Sequence, residues 1–148
     1  MIVRWPDRIG AGALNATITS TIDLFPTLLE LGGLPPPYQQ LDGRSIAVEL
    51  LGTGQIEESI QYWHYPHYHL GSGMKPASAI RKGKFKLIEW HEDFLSGKPA
   101  WELYDLDSDP GETRDLSADH AEILEELRMD LHKWRREINA QMPEINTE

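Results

Sequence analysis

The 148-residue chain contains no cysteine, which excludes disulfide bonds, thiolate zinc sites and a cysteine nucleophile within it. It has no apolar run near the roughly 20 residues that cross a bilayer. Its start lacks the apolar stretch of about 7–15 residues that follows the basic start of a signal peptide. Basic residues are scarce, and the formal net charge is −10. Non-specific binding to nucleic acid or to an anionic membrane is therefore disfavoured, because those surfaces attract a basic field.

What remains is an ordinary globular composition, 40% hydrophobic and 26% charged, in a chain long enough to bury a core. The apolar run at residues 2–5, closed by Pro6, predicts a short strand that is already under way. We interpret this start as a sign that the sequence has been shortened. Residues 19–31 predict a helix, which begins with the capping-box-like pair Ser20 and Asp23 and ends at Gly32 and Gly33. A stiff proline connector and a short helix at 46–51 follow.

The second part of the chain predicts strands. Alternation begins at Ile60, and residues 78–81 and 84–90 flank a tight hairpin signal at Lys82-Gly83. A further turn signal at Ser96-Gly97 leads to a strand at 101–105. Four strands joined by short turns indicate an antiparallel meander.

The clearest helix signal lies near the end of the chain, where apolar residues recur every three or four positions on one face. Ser117 is the predicted N-cap of this helix. Before it, Asp109-Pro110-Gly111 forces a turn, and Leu116 is expected to return to the core. The apolar stripe consists of Ile123, Leu127, Leu131, Trp134 and Ile138.

Taken in order, these segments resemble the C-terminal part of type I sulfatases, the arylsulfatase family of the alkaline phosphatase superfamily. The resemblance covers nearly the whole chain through residues 2–6, 21–29, 41–45, 62–68, 78–83, 86–88 and 101–116. It implies an α+β fold, in which a four-stranded antiparallel sheet packs against a C-terminal helix. A strand-helix remnant of the large α/β sulfatase domain would precede that sheet. Residues 1–56 would then belong to, or bridge from, the catalytic domain, and residues 57–148 would form the C-terminal subdomain.

The resemblance also implies a chemistry, the hydrolysis of sulfate esters. The family uses a formylglycine nucleophile, made from Cys or Ser in a C/S-x-P/A-x-R motif, and a calcium ion held by Asp and Asn side chains. This chain has no Cys, Ser72 and Ser78 lie outside such a motif, and no Asp-Asp or Asp-Asn pair indicates the calcium site. We therefore expect no catalytic residue, no metal ligand and no sulfatase turnover from this chain alone. Members of the family are often extracytoplasmic.

The best candidate site is the histidine cluster His64, His67 and His69, which is interleaved with Tyr68. In the family the corresponding loop often lies over the mouth of the active-site pocket, where imidazole and phenol groups suit hydroxyls and anionic sugars. Arg81, at the predicted hairpin, is a further candidate for an anionic substrate. Three other readings stay open. The loop is an aromatic surface without a ligand, the three histidines bind zinc, or Arg81 serves only the turn.

Two functions remain in competition. In the first, the chain completes a sulfatase whose N-terminal domain and sulfate-ester substrate are its partners. In the second, it is a stand-alone binding or interaction domain derived from a sulfatase. Under the first hypothesis, apolar residues such as Leu24, Phe25 and Leu28 are expected to be exposed or buried by self-association. A formylglycine motif encoded directly upstream would favour the first function.

Overall fold

The computed structural model of the chain describes residues 1–69, 71–91 and 100–143. The chain divides into two compact units, Met1–Ser59 and the part from Ile60 onward. In the first unit a 3₁₀ turn at Thr21–Asp23 leads into helix α1, Leu24–Leu31, and the short helix α2 spans Ala47–Leu50. The predicted strand at residues 2–5 is wrong, since that segment belongs to no strand of the described residues. Its apolar composition alone cannot make a strand, because the backbone groups of a strand need a neighbouring strand to pair with.

The predicted helix at residues 19–31 begins as a 3₁₀ turn, with the Ser20–Asp23 pair at the start of that turn and α1 following from Leu24. The backbone N–H of Ser20 donates to the Asp23 carboxylate at 2.8 Å, which confirms the predicted pairing of these two residues. Asp23 also accepts the backbone N–H of Arg44 at 3.0 Å. The hydroxyl of Thr27 accepts the backbone N–H of Ile46 at 3.0 Å. These buried bonds join α1 to the start of α2 and hold the first unit together.

The second unit is a four-stranded antiparallel sheet with strand order β1-β2-β3-β4. The strands are β1, Gln61–Tyr65; β2, Ala77–Lys82; β3, Phe85–Trp90; and β4, Trp101–Asp105. The predicted meander and the α+β class are confirmed. The predicted turn at Ser96-Gly97 lies outside the described residues.

The β2–β3 hairpin turns one residue later than predicted. Lys82 pairs with Phe85, so Gly83 and Lys84 form a two-residue loop. Gly83 has a φ of 58°, which glycine adopts at little cost and which suits the first position of a tight hairpin loop. The prediction placed Lys82 in the turn, but Lys82 is the last residue of β2.

Helix α3, Ala121–Glu137, covers one face of this sheet. Its stripe is confirmed as far as Trp134, while Ile138 lies just beyond the helix and is half exposed. The N-cap prediction for Ser117 is wrong, because His120 occupies that position. Ser117 instead donates through both its N–H and its hydroxyl to the Asp115 carboxylate, at 2.9 Å each, and closes a turn. The shared core consists of Ile80, Leu87, Leu103, Leu127 and Leu131.

Leu116 returns to this core as predicted, and its N–H donates to the carbonyl of Leu103 at 2.8 Å. The preceding turn is held by Asp109, whose carboxylate accepts the backbone N–H groups of Thr113 at 2.8 Å and Arg114 at 2.9 Å. The acidic turn thus joins the last strand to the covering helix. No helix in the described ranges is both long and apolar enough to cross a membrane.

Candidate functional site

The candidate site begins at the end of β1, where the strand passes into a loop. His64 lies in β1, and both of its ring nitrogens have partners within the second unit. Nδ1 lies 2.8 Å from the Ser78 hydroxyl, and Nε2 lies 2.8 Å from the carbonyl of Gln141. His64 thus ties the end of β1 to β2 and to the segment that follows α3.

The loop after β1 presents the other predicted residues at the surface. His67, Tyr68 and His69 are all exposed. The ring of His67 stands edge-on to Tyr65, with centroids 5.8 Å apart and planes at 89°. Since an exposed imidazole and an exposed phenol can donate and accept hydrogen bonds, this loop offers a polar aromatic surface to a ligand.

His69 organises the far side of the loop. Its Nδ1 accepts the backbone N–H of Ser72 at 3.1 Å and lies 2.9 Å from the Ser72 hydroxyl. Its backbone N–H donates to the carbonyl of Met74 at 3.0 Å, so the chain closes into a small antiparallel bridge. The bridge therefore ties His69 to Met74, shortly before β2 begins.

The three histidines have different partners and are not gathered into one centre. In the part of the chain that the structure describes, no group of three or more His, Cys, Asp or Glu residues is arranged to hold a metal ion. Arg81 lies in β2, and its Nε donates to the carbonyl of Gly83 at 3.2 Å. This contact fits the reading in which Arg81 supports its own hairpin.

A buried polar network beneath the strand ends was not predicted from the sequence. The Ser78 hydroxyl lies 2.9 Å from Nε2 of His91 and accepts from Nη1 of Arg135 at 3.2 Å. Nη2 of Arg135 lies 2.6 Å from the Glu89 carboxylate, and the two side chains are only 9% and 7% exposed. His132 lies 3.3 Å from the same carboxylate oxygen. At this separation Arg135 and Glu89 form a buried ion pair.

Burial favours the neutral forms of His91 and His132. Burial first, and then the positive charge of Arg135, lowers the pKa of His91 to about 4. Burial also lowers the pKa of His132, although the Glu89 carboxylate opposes that shift. The Glu89–Arg135 pair therefore lies beside two imidazoles whose charged forms are disfavoured by burial.

A weak signal for this network was present in the sequence. Ser78 and Glu89 are polar residues on the strand face that also carries Ile80 and Leu87, and they are paired across β2 and β3. His132 and Arg135 lie three residues apart, beside the apolar stripe of α3. Polar residues that share the core-facing side of two strands and a helix would have indicated a buried network.

The chain is similar in sequence to known proteins. Residues 1–138 match the family described as N-sulphoglucosamine sulphohydrolase, C-terminal. The chain is 28% identical to an N-acetylglucosamine-6-O-sulfatase of Bacteroides thetaiotaomicron, over 97% of its own length and 26% of the relative. It is 32% identical to human arylsulfatase A, over 84% of its own length and 28% of the relative.

A solved structure extends the likeness to the fold. It is a protein in complex with its substrate D-glucosamine-2-N,6-O-disulfate, and it superposes with a TM-score of 0.77 at 28% identity. The match covers 96% of this chain and 29% of that one. The chain thus spans between a quarter and a third of the length of these relatives.

Proposed function

This chain belongs to the sulfatase family as a C-terminal region, and from that premise we propose that it serves a sulfuric ester hydrolase by lining the mouth of the substrate pocket. The loop that follows β1 supports this role. It presents His67 and Tyr68 to solvent, while His69 anchors its return. The observation that carries the proposal is this combination of exposed aromatic donors with the His69–Met74 bridge beside them.

In this proposal His64 and Arg81 support the structure around the loop and do not contact the substrate. Both ring nitrogens of His64 contact groups of this chain, and Nε of Arg81 donates to the hairpin. We therefore assign direct substrate contact to His67, Tyr68 and His69. His64 would hold the strand from which the loop departs.

We propose a sulfated amino sugar as the substrate class. Two of the relatives described above support it, since one is named for a 6-O-sulfated glucosamine and another holds a disulfated glucosamine. Sugar hydroxyls need several polar partners at fixed positions, which imidazole and phenol groups on one loop provide.

Sulfatases generally use formylglycine and calcium, and the residues of this chain do not fit either group. The chain has no Cys, and no Ser within the C/S-x-P/A-x-R motif. Among the described residues, none form a cluster of acidic or imidazole ligands for a metal ion. We therefore derive no chemical step from these residues and propose that this chain alone does not hydrolyse sulfate esters.

Exposed apolar side chains in the first unit favour a protein partner in addition to the substrate. Ile22, Phe25 and Leu28 are at least half exposed on and beside α1. Side chains of this size favour burial, so we propose that residues 1–56 bridge to the N-terminal region that the relatives possess. Self-association of the chain would cover the same residues when that region is missing.

A chimera tests the proposal. The chain replaces the matching C-terminal quarter of the Bacteroides N-acetylglucosamine-6-O-sulfatase, and KM is measured with glucosamine 6-sulfate and with an aryl sulfate. In the chimera, His67→Ala and Tyr68→Ala should raise KM for the sugar about tenfold and change KM for the aryl ester little, since only the sugar reaches the loop. Tyr38→Ala, a fully exposed tyrosine of the first unit, is the matched control.

Two results would contradict the proposal. One is a folded chimera without turnover of either ester, and the other is an equal effect of the loop variants on both substrates. The stand-alone alternative predicts a different result, which is binding by the chain alone. In that case the chain by itself would bind glucosamine 6-sulfate in a calorimetric titration, and His67→Ala would remove the heat.

A further inference from the structure

The buried hydroxyl of Ser78 lies between two imidazoles. His64 Nδ1 lies 2.8 Å away on one side and His91 Nε2 lies 2.9 Å away on the other, while Arg135 approaches at 3.2 Å. Ser78 is only 1% exposed, so water cannot replace these partners. A serine hydroxyl has one hydrogen to donate and two lone pairs that accept. Three partners therefore use its full capacity.

The positions of the hydrogens follow from the partners. Arg135 can only donate, so it takes one lone pair of Ser78. Nε2 of His64 faces the carbonyl of Gln141 and must carry a hydrogen. The Nδ1 of a neutral His64 is then bare and accepts the Ser78 hydrogen. Nε2 of His91 must donate to the remaining lone pair of Ser78.

The opposite arrangement satisfies the same contacts. If His64 carries a second hydrogen on Nδ1, it donates to Ser78, and the Ser78 hydroxyl turns toward His91. Nε2 of His91 must then be bare, so the hydrogen of that neutral ring lies on Nδ1. Both arrangements leave each of the three partners of Ser78 paired, and they differ by one proton.

We propose that His64, Ser78 and His91 form a buried proton relay, in which a proton that bonds to His91 appears as positive charge on His64. The proton bonds to Nδ1 of His91. The Nε2 hydrogen of His91 passes to the Ser78 oxygen, and the original Ser78 hydrogen passes to Nδ1 of His64. The His91 Nε2–H bond and the original Ser78 O–H bond break. Bonds to hydrogen form at His91 Nδ1, the Ser78 oxygen and His64 Nδ1. The network therefore gains one proton, and nothing is oxidised or reduced.

The charges around the relay disfavour a positive charge on His91. Glu89 of β3 and Arg135 of α3 pair with each other, and His132 of α3 contacts the same carboxylate. Burial and Arg135 disfavour a charged His91, whose pKa is lowered to about 4. At His64 the new charge strengthens a hydrogen bond to the carbonyl of Gln141. The segment after α3 should therefore be held more firmly when the relay is protonated.

The experiment is a pH titration of the whole chain with ¹⁵N-labelled histidine, followed by NMR of the ring nitrogens. As His64 gains its proton, Nε2 of His91 should change from the protonated to the bare form with the same midpoint. In His64→Gln, the Nε2 hydrogen of His91 should persist through that pH range. In Ser78→Ala, the two rings should titrate at separate midpoints.

Ser72→Ala is the matched control, because Ser72 makes a similar contact to Nδ1 of His69 on the exposed loop. It should leave the coupling of His64 and His91 intact. The relay is refuted if His91 keeps its Nε2 hydrogen while His64 titrates in the unmodified chain. It is equally refuted if folded Ser78→Ala preserves a shared midpoint. If Ser78→Ala does not fold, the unmodified chain and His64→Gln decide the question.

Discussion

Tyr62 of β1 and Trp134 of α3 stack face to face, with ring centroids 4.7 Å apart and planes within 8° of parallel. The pair joins the outermost strand of the sheet to the covering helix, at the margin of the Leu-rich core. Helix α3 is thereby held to an edge strand as well as to the centre of the sheet.

Trp134→Ala should lower the free energy of unfolding by about 2–3 kcal/mol, because it removes a large, partly buried ring and its stacking partner. Urea unfolding measures the change. The control is Trp63→Ala, in the same strand as Tyr62 but 49% exposed, for which we expect a loss of about 1 kcal/mol or less. A double-mutant cycle with Tyr62→Ala should show a coupling near 1 kcal/mol, and additive losses would contradict the stacking interaction.

Glu89→Gln should destabilise the chain by about 3–5 kcal/mol, because it leaves the buried Arg135 charge without its partner. Glu137→Gln makes the same chemical change in the Lys133–Glu137 pair, whose side chains are 69% and 61% exposed. That control should cost about 0.5 kcal/mol or less. Replacing Glu89 and Arg135 together by Met should cost less than Glu89→Gln alone. Equal losses for the two Glu→Gln variants would show that the buried pair contributes no more to folding stability than the exposed pair.

His91 should make stability depend on pH below neutrality. Its pKa falls from 6.5 to about 4 on folding, so the unfolded chain binds the proton more readily between these values. The contribution is fully present above pH 6.5 and is lost as the pH falls toward 4. We expect a loss of about 1–2 kcal/mol, reduced from the full linkage value because the ring is only partly buried.

Urea midpoints at pH 7, 5.5 and 4.5 provide the measurement for His91, with His91→Gln as the comparison. Carboxylate titration affects both proteins alike, so the difference between their profiles isolates the histidine. Parallel profiles over this range would rule out the predicted contribution of His91.

Gly43→Ala should unfold or strongly destabilise the first unit, by more than about 3 kcal/mol. A Cβ at this position would clash with the backbone carbonyl oxygen of Ile22 and lie 2.9 Å from the backbone nitrogen of Asp23. Gly10→Ala is the control, since nothing lies within 4 Å of a Cβ there, and we expect a change within about 0.5 kcal/mol. Circular dichroism and limited proteolysis would report the loss. A Gly43→Ala protein as stable as Gly10→Ala would contradict the close approach of these segments.

The fold of the second unit was predictable because its signals are local. The stripe from Ile123 to Trp134 needs only the helical period, and the hairpins need only alternation and a turn residue. The strand at residues 2–5 failed for the opposite reason, because pairing depends on a neighbouring strand that composition cannot reveal. Ser117 failed because Asp115 attracts its hydroxyl into a turn.

The candidate site stays a prediction. The structure places its loop residues His67 and Tyr68 at the surface. The network around Ser78 was missed, because His91 and Arg135 reach it only through strand register and helix docking. Residues far apart in the chain that meet across three elements leave no contiguous motif.

The backbone groups of Leu103 limit how the sheet can pair with another chain. On the outer side of β4 its N–H donates to the Asp115 carboxylate at 3.0 Å, and its carbonyl accepts from Leu116. An incoming peptide would find both groups already occupied at the middle of that strand. The sheet is therefore blocked at its β4 margin against growth by strand addition, the usual route to edge-to-edge aggregation.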